Sequence, residues 1–332
     1  MKIIIVFIMS SSLPYPGRRV PLPRRVLGAG AAFCVLALFA AGCSGSAASV
    51  DAGTAADGKI VAVGAENEYA DLLGQIGGRY VAVSAVMSNP NTDPHTYEAS
   101  PQIASEVSRA RLVVQNGLGY DDFMSQIEKA SGSSGQRVID VQTLLSLPYS
   151  TANPHLWYQP TTMPRVAAAI AADLEALDPG HRAYYVANLA AFDSSDHAYT
   201  AAVATLKARY GGAAVATTEP VADYLLDAAG IKNLTPWNFQ ADVMNGTDPS
   251  PQDITAQQAL FTGHKIRAFV YNQQVTDSLT ESLLSLAKAN GIPIVGVYET
   301  MPTPGYDYQK WMLAEVRALS EAIGADRSAP TL

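Results

Sequence analysis

The chain has 332 residues, of which 48% are hydrophobic and 16% charged, and its formal net charge is −8. This length allows two ordinary domains with sizeable cores, and the composition excludes a disordered protein over most of the chain. The acidic balance argues against a nucleic-acid partner, which requires a basic face. Both cysteines, Cys34 and Cys43, lie near the N-terminus. The rest of the chain therefore forms neither a disulfide framework nor a cysteine-based zinc site.

Residues 1–42 have the pattern of a lipoprotein signal peptide. Four arginines between positions 18 and 25 precede the apolar run from Val26 to Gly42, which is too short and wrongly flanked for a membrane span. The run ends in Leu38-Phe-Ala-Ala-Gly-Cys43-Ser-Gly-Ser, which resembles a bacterial lipobox and implies cleavage before Cys43 and lipid attachment to its sulfur. A plain secretory signal with a chance cysteine is the alternative.

Cleavage at that point would change the charge balance of the mature chain. It would remove five of the 22 basic residues and none of the 30 acidic ones, so the formal net charge would become −13. An acidic exported protein suits the capture of cations better than the capture of anions. Residues 43–57 are rich in Ala, Ser and Gly, which predicts a flexible tether.

From residue 58 to residue 162, strand-like and helix-like segments alternate, which predicts βαβ units and an N-terminal α/β lobe with a mainly parallel sheet. The predicted strands are 59–65, 80–87, 111–116 and 137–141, and the predicted helices are 68–76, 101–109 and 122–130. Residues 163–210 are Ala-rich with apolar residues at helical spacing, and Pro179 suits the first turn of a helix. The helix predicted from Pro179 to Tyr210 would be about 45 Å long and would form a rigid spine between two lobes.

Residues 211–332 repeat the alternation and predict a C-terminal α/β lobe. The predicted strands are 213–218, 267–272 and 293–297, and the predicted helices are 221–229, 251–261, 276–290 and 308–323. The predicted fold is therefore α/β, with two βα-sandwich lobes joined by a long rigid helix. In such lobes ligands bind beyond the carboxyl ends of the strands.

Four residues able to bind a metal lie at such positions, two in each lobe. His95 and His155 follow strands of the first lobe by way of loops, and each comes directly after a proline. Glu219 and Glu299 come directly after predicted strands of the second lobe. Two imidazoles and two carboxylates suit a divalent first-row cation, and the two negative charges would neutralise it. Taken alone, each histidine is more often a structural or surface residue, and sequence spacing does not prove proximity.

Several segments resemble the zinc- and manganese-binding proteins of bacterial ABC importers. They are Asp93-Pro-His-Thr-Tyr-Glu98 with Ser100-Pro101, Asn116-Gly-Leu-Gly119, Asn153-Pro-His-Leu-Trp157, Glu219-Pro220 and Gly296-Val-Tyr-Glu-Thr-Met-Pro302. The resemblance covers the chain from about Lys59 onward. It implies two α/β lobes joined by a rigid helix, a metal in the cleft between them, and His95, His155, Glu219 and Glu299 as its four ligands.

The chain departs from that family at two places. Members dedicated to zinc often have a third histidine where this chain has Glu219, and many carry a His-rich acidic loop that is absent here. Asn153 stands where many relatives have an aspartate, so a carboxylate behind His155 is missing. The transported metal, Zn²⁺ or Mn²⁺ (or iron), therefore stays open.

Other conspicuous side chains have simpler interpretations. His197 is predicted on a solvated face of the long helix, and Asp121-Asp122 resembles a helix N-terminus, where acids complement the helix dipole. The aromatic residues near the motifs, Trp157 and Trp237 among them, are more often core residues than contacts.

Three functions fit the pattern. The resemblance favours a lipid-anchored binding protein at the extracytoplasmic face of the membrane. It would act as a monomer without catalysing a reaction, and would deliver a metal to a membrane ABC permease. An exported metal-dependent hydrolase is the main alternative, but the sequence has no His-Glu-x-x-His helix and no Gly-x-Ser-x-Gly elbow. A surface adhesin of the same fold is the third.

Overall fold

The structure is a computed structural model, and it describes residues 53–55, 57–89, 97, 99–131 and 135–332. The predicted signal peptide, the lipidation site Cys43 and most of the predicted tether lie outside the described residues, and so does His95. Among the described residues before the first strand, Thr54 forms an antiparallel bridge with Ile60. The boundaries predicted for the domains stay predictions.

The N-terminal lobe is built on four parallel strands in the order β2-β1-β3-β4. The strands are β1 (Ile60–Glu66), β2 (Val81–Met87), β3 (Leu112–Gln115) and β4 (Arg137–Asp140). The helices are α1 (Asn67–Gly77), α2 (Pro101–Arg109), α3 (Asp122–Ser131) and the short α4 (Val141–Leu144). β1 and β3 are almost wholly buried and apolar, as expected for a parallel sheet covered on both faces.

The C-terminal lobe repeats this arrangement, with four parallel strands in the order β6-β5-β7-β8. The strands are β5 (Ala214–Thr217), β6 (Lys232–Asn233), β7 (Ala268–Asn272) and β8 (Ile294–Val297). The helices are α7 (Asp223–Ala228), α8 (Trp237–Met244), α9 (Pro251–Thr262), α10 (Ser278–Ala289) and α11 (Tyr308–Ala325). In each lobe the strand order reverses beside the lobe's first strand, which is where ligands bind in open α/β sheets.

Two helices, α5 (Thr162–Leu177) and α6 (Arg182–Tyr210), connect the lobes. α6, hereafter the spine helix, is 29 residues long, or about 44 Å at 1.5 Å per residue. Its buried side chains recur at helical spacing: Tyr185, Phe192, Asp196, Tyr199, Val203 and Leu206. Its apolar ones belong to one hydrophobic core that contains residues of both lobes, such as Leu72 and Val297. The predicted fold of two α/β lobes on a long helix is confirmed.

The structure adds elements that the sequence did not predict. β6 has two residues and α8 has eight, and both lie between Ile231 and Asn245, a stretch whose mixed composition has no clear period. Trp237, interpreted as a core residue, begins α8 and is 42% exposed, whereas Trp157 is fully buried as expected. Within the described residues, no helix combines the length and the apolar character needed to cross a bilayer.

Candidate metal site

The carboxyl ends of three neighbouring strands bring polar side chains of the C-terminal lobe together. β7 lies between β5 and β8, and the pairs Thr217–Val270 and Asn272–Val297 fix their registers. Asn272, the last residue of β7, therefore lies between Glu219, two residues beyond β5, and Glu299, two residues beyond β8. Strand order, rather than nearness in the sequence, puts these three side chains at one edge of the sheet.

Asn272 joins the two glutamates directly. Its Nδ2 donates to Oε1 of Glu219 at 3.2 Å and to Oε1 of Glu299 at 2.5 Å. All three side chains are almost completely removed from solvent, with exposures of 1%, 2% and 0% for Asn272, Glu219 and Glu299. Two carboxylates buried side by side would repel each other, and the shared amide donor offsets part of that repulsion.

His155 reaches the site from the N-terminal lobe in a fixed orientation. Asn153 Oδ1 lies 2.7 Å from His155 Nδ1 and also accepts from the His155 backbone N–H at 3.0 Å. The other end of the Asn153 amide donates to the carbonyl of Pro220 at 2.9 Å, which fixes which atom is the oxygen. An amide oxygen only accepts, so Nδ1 carries the proton and, in the neutral ring, the lone pair is on Nε2. The sequence indicated that a carboxylate is missing behind His155, and the structure has the Asn153 amide in that place, with its oxygen as the acceptor.

The two lobes meet at Glu299. His155 Nε2 lies 3.4 Å from Oε2 of Glu299, and the Tyr120 hydroxyl, from the loop after β3, donates to the same oxygen at 3.1 Å. His155 and Glu299 are both fully buried. The rings of Tyr120 and Trp157 pack against the imidazole at centroid distances of 5.8 and 5.4 Å. A buried imidazole and a buried carboxylate from opposite lobes thus face each other, with two aromatic rings packed against the imidazole.

Three of the four predicted ligands are consequently placed in one region of the cleft. His155 contacts Glu299, and Glu219 is connected to Glu299 through Asn272. Across the described residues, no three His, Cys, Asp or Glu side chains form a group that could hold a metal ion, and the fourth predicted ligand, His95, lies outside them. The assignment of these residues as ligands stays a prediction.

A second group of buried carboxyls lies in the N-terminal lobe near the same cleft. Glu66 ends β1, Glu68 is on the first turn of α1, and Asp121 precedes α3. Burial raises the pKa of Glu68 to about 8 and that of Asp121 to about 7, and it raises the pKa of Glu66 well above its usual range. The charge of Glu299 raises the pKa of Glu68 further. On this side of the cleft, burial therefore shifts three acidic groups toward their neutral form.

Asp121 has a more specific role than the helix-dipole partner predicted from the sequence. Its carboxylate accepts from the backbone N–H groups of Asn116 and Gly117 at 2.6 and 2.9 Å, which closes the turn after β3. The Asn116 side chain in turn donates to the carbonyl of Pro154 at 2.9 Å, next to His155. This hydrogen bond connects the turn after β3 to the loop that carries His155.

His197 is exposed on the spine helix, as predicted.

Comparison with known families gives a match over most of the chain. The family described as "ZnuA: Zinc-uptake complex component A periplasmic" matches residues 63–322. The chain belongs to this family. The matched range contains the spine helix, the residues that meet in the cleft, and both sheets apart from the first residues of β1.

Two characterised lipoproteins are similar in sequence to this ZnuA-family chain. The manganese-binding lipoprotein MntA of Halalkalibacterium halodurans is 30% identical over 163 residues, which cover 48% of this chain and 52% of that protein. The metal ABC transporter substrate-binding lipoprotein FimA of Streptococcus parasanguinis is 24% identical over 275 residues, covering 78% of this chain and 86% of that protein. The chain thus spans about half the length of the first relative and most of the second. The names of both relatives describe binding lipoproteins, one for manganese and one for the substrate of a metal ABC transporter.

A solved structure agrees on the fold. The crystal structure of ZnuA has a TM-score of 0.66 and 23% sequence identity to this chain, and the comparison covers 81% of this chain and all of that one. This similarity confirms the two-lobed architecture expected for the ZnuA family.

Proposed function

We propose that this chain is an extracytoplasmic solute-binding lipoprotein that captures a divalent transition metal, zinc or manganese, and delivers it to the permease of an ABC importer. One observation carries the proposal. A buried, oriented imidazole of one lobe, His155, faces a buried carboxylate of the other, Glu299, with a second carboxylate, Glu219, bound to the same amide.

The chemistry of this donor set fits such a cargo. A neutral imidazole with its lone pair on Nε2 is the form of histidine that binds zinc and neighbouring metals, and carboxylate oxygens extend the range toward manganese. Two glutamates balance the charge of a dication, so a loaded site would bury no large net charge. We propose His155, Glu219 and Glu299 as ligands, with His95 as the fourth on the strength of its Asp-Pro-His segment.

Export and anchoring belong to the same proposal. The lipobox-like segment ending at Cys43 and the lipoprotein names of the two relatives support cleavage after residue 42 and lipid attachment to Cys43. Residues 43–57 would then act as a tether, and the lobes at 58–162 and 211–332 would hold the metal between them on the outer side of the membrane. We propose that the protein acts as a monomer, without catalysis, and meets the permease when loaded.

The proposal is tested by elemental analysis of protein purified without added metal, followed by competition between zinc and manganese. The expected result is near-stoichiometric binding of one of these metals, reversed by a chelator. Protein that neither retains nor binds either metal at micromolar concentrations would contradict it.

The orientation of His155 gives a graded prediction. Asn153→Leu removes the acceptor behind Nδ1 and allows the ring to turn or to change tautomer. Loss of such an outer partner typically lowers metal affinity by about 10–100-fold, and we expect that decrease in a competition titration. Asn188→Leu on the spine helix is the matched control, because the Asn188 amide donates to the carbonyl of Ile76, away from the cleft. Equal affinities in the two variants would show that Asn153 does not orient a ligand.

A further inference from the structure

Asn272 is a shared hydrogen-bond donor held in one orientation. Its side-chain oxygen accepts from the Gln274 backbone N–H at 3.0 Å, and its own backbone N–H donates to the Thr218 hydroxyl at 3.0 Å. The oxygen is thereby identified, and the NH₂ end must point toward the glutamates. An amide NH₂ has two hydrogens, and each glutamate takes one of them.

The carboxylate oxygens of the two glutamates face different partners. Oε1 of Glu219 and Oε1 of Glu299 both face Asn272. Oε2 of Glu299 faces the other lobe, with His155 Nε2 at 3.4 Å and the Tyr120 hydroxyl at 3.1 Å. Glu299 therefore directs one oxygen toward His155 and Tyr120 while the Asn272 amide donates to the other.

The backbone of Glu299 is fixed as well as its side chain. Gln274 Oε1 accepts from the backbone N–H groups of Glu299 and Thr300 at 2.6 and 2.8 Å. The carboxylate cannot rotate to present both oxygens to the cleft without breaking its bond to Asn272. Such a constraint matters because metals differ in how many oxygens they need.

Zinc is typically bound by four tetrahedral ligands in proteins, so single oxygens from two glutamates and nitrogens from the two proposed histidines would satisfy it. Manganese prefers six ligands, most of them oxygen atoms. Four side chains provide that number only if the carboxylates bind through both oxygens or if water molecules complete the coordination. We infer that Asn272 restricts Glu219 and Glu299 to one metal-binding oxygen each and so biases the site toward zinc and against manganese. This inference rests on the proposed function.

The test compares the zinc and manganese affinities of the full mature protein and of Asn272→Leu, which keeps the number and branching of the side-chain heavy atoms and removes both donated hydrogens. We expect zinc affinity to fall by about 10–100-fold, as for other outer partners of metal ligands. Manganese affinity should fall much less or rise, so the ratio of zinc to manganese affinity should decrease at least about tenfold. In the cobalt-loaded variant, the intense visible absorption of four-coordinate cobalt should weaken as the coordination number increases.

A matched control separates this effect from a general loss of a buried amide. Gln257 is fully buried in the same lobe and donates to the backbone carbonyl of Thr217 at 2.8 Å, a bond that involves neither glutamate. Gln257→Leu should lower the melting temperature and leave the affinity ratio and the cobalt spectrum unchanged. Asn272→Asp serves if the leucine variant fails to fold, because it has the same shape, replaces the donor with an acceptor and should shift the ratio in the same direction.

The outcomes distinguish this inference from the proposed function. Unchanged affinity ratios in Asn272→Leu and Asn272→Asp, with metal binding intact in the wild type, would overturn the role of Asn272 alone. Loss of binding in Glu299→Gln with an unchanged ratio in the Asn272 variants would also overturn that role and leave the metal site standing. A wild-type protein that binds neither metal would overturn the proposed function and this inference together.

Discussion

The His155→Ala variant is expected to lose most of the increase in melting temperature that zinc or manganese gives the wild-type protein. A ligand that binds only the folded state stabilises it by mass action, by about 4 kcal/mol when its free concentration is about 1,000 times the dissociation constant. His155 offers Nε2 to the cleft and is already oriented by Asn153. Removing it takes away a ligand together with the contact between the lobes, so the metal-dependent shift should nearly vanish.

His197→Ala is the control for this experiment, because His197 is exposed on the spine helix and is not among the predicted ligands. Its metal-dependent shift should equal that of the wild type. The metal-free melting temperature of each variant is measured in the presence of a chelator, so that loss of packing around Trp157 is not mistaken for loss of binding. A full metal-dependent shift in His155→Ala would remove His155 from the ligand set.

The metal-free protein is expected to become less stable as the pH rises from about 5 to about 8. Glu315 on α11 is fully buried, and burial raises its pKa to about 8 even though Trp311 and Tyr158 donate to it at 3.1 and 3.3 Å. A carboxyl whose pKa is higher in the folded state stabilises the fold while it stays neutral. That contribution is complete below the unfolded pKa, near 4.5, and is lost as the pH rises through about 8.

Glu315→Gln isolates this contribution, because glutamine keeps an oxygen for Trp311 and does not titrate. At about 1.4 kcal/mol for each pKa unit, Glu315 alone should account for roughly 3–5 kcal/mol of the decrease in unfolding free energy over that range. Denaturant unfolding at about pH 5, 6.5 and 8 should therefore show a smaller decrease in the variant. Glu281→Gln, at an exposed position on α10, should match the wild type. Equal slopes for Glu315→Gln and the wild type would mean that Glu315 is ionised in the folded protein.

The two lobes could be predicted from the sequence because their buried strands are short apolar runs separated by amphipathic helices. Seven of the eight strands described lie within a residue or two of the predicted positions. The eighth, β6, has only two residues and depends on pairing with β5, so no local pattern marks it. α8 was missed for a related reason: it is short, and its first residue, Trp237, is exposed.

The site was predictable in part, from positions rather than from contacts. Three of the predicted ligands could be chosen from the sequence because they follow predicted strands or a proline: His155, Glu219 and Glu299. The structure brings these three side chains to one region between the lobes. Asn272 and Tyr120 could not be chosen in this way, because their importance follows from strand order and from the meeting of two lobes, which the sequence does not display. The available signal was a polar residue closing an otherwise apolar strand, as Asn272 does on β7.

The most direct test of the metal site is the anomalous diffraction of crystals of the protein loaded with zinc or manganese, collected above and below the metal's absorption edge. The predicted result is a single strong peak between the lobes, about 2.0–2.2 Å from His155 Nε2 and from carboxylate oxygens of Glu219 and Glu299. His95 would complete the set. A peak elsewhere on the protein, or one in the cleft that lacks His155 or either glutamate among its ligands, would contradict this assignment.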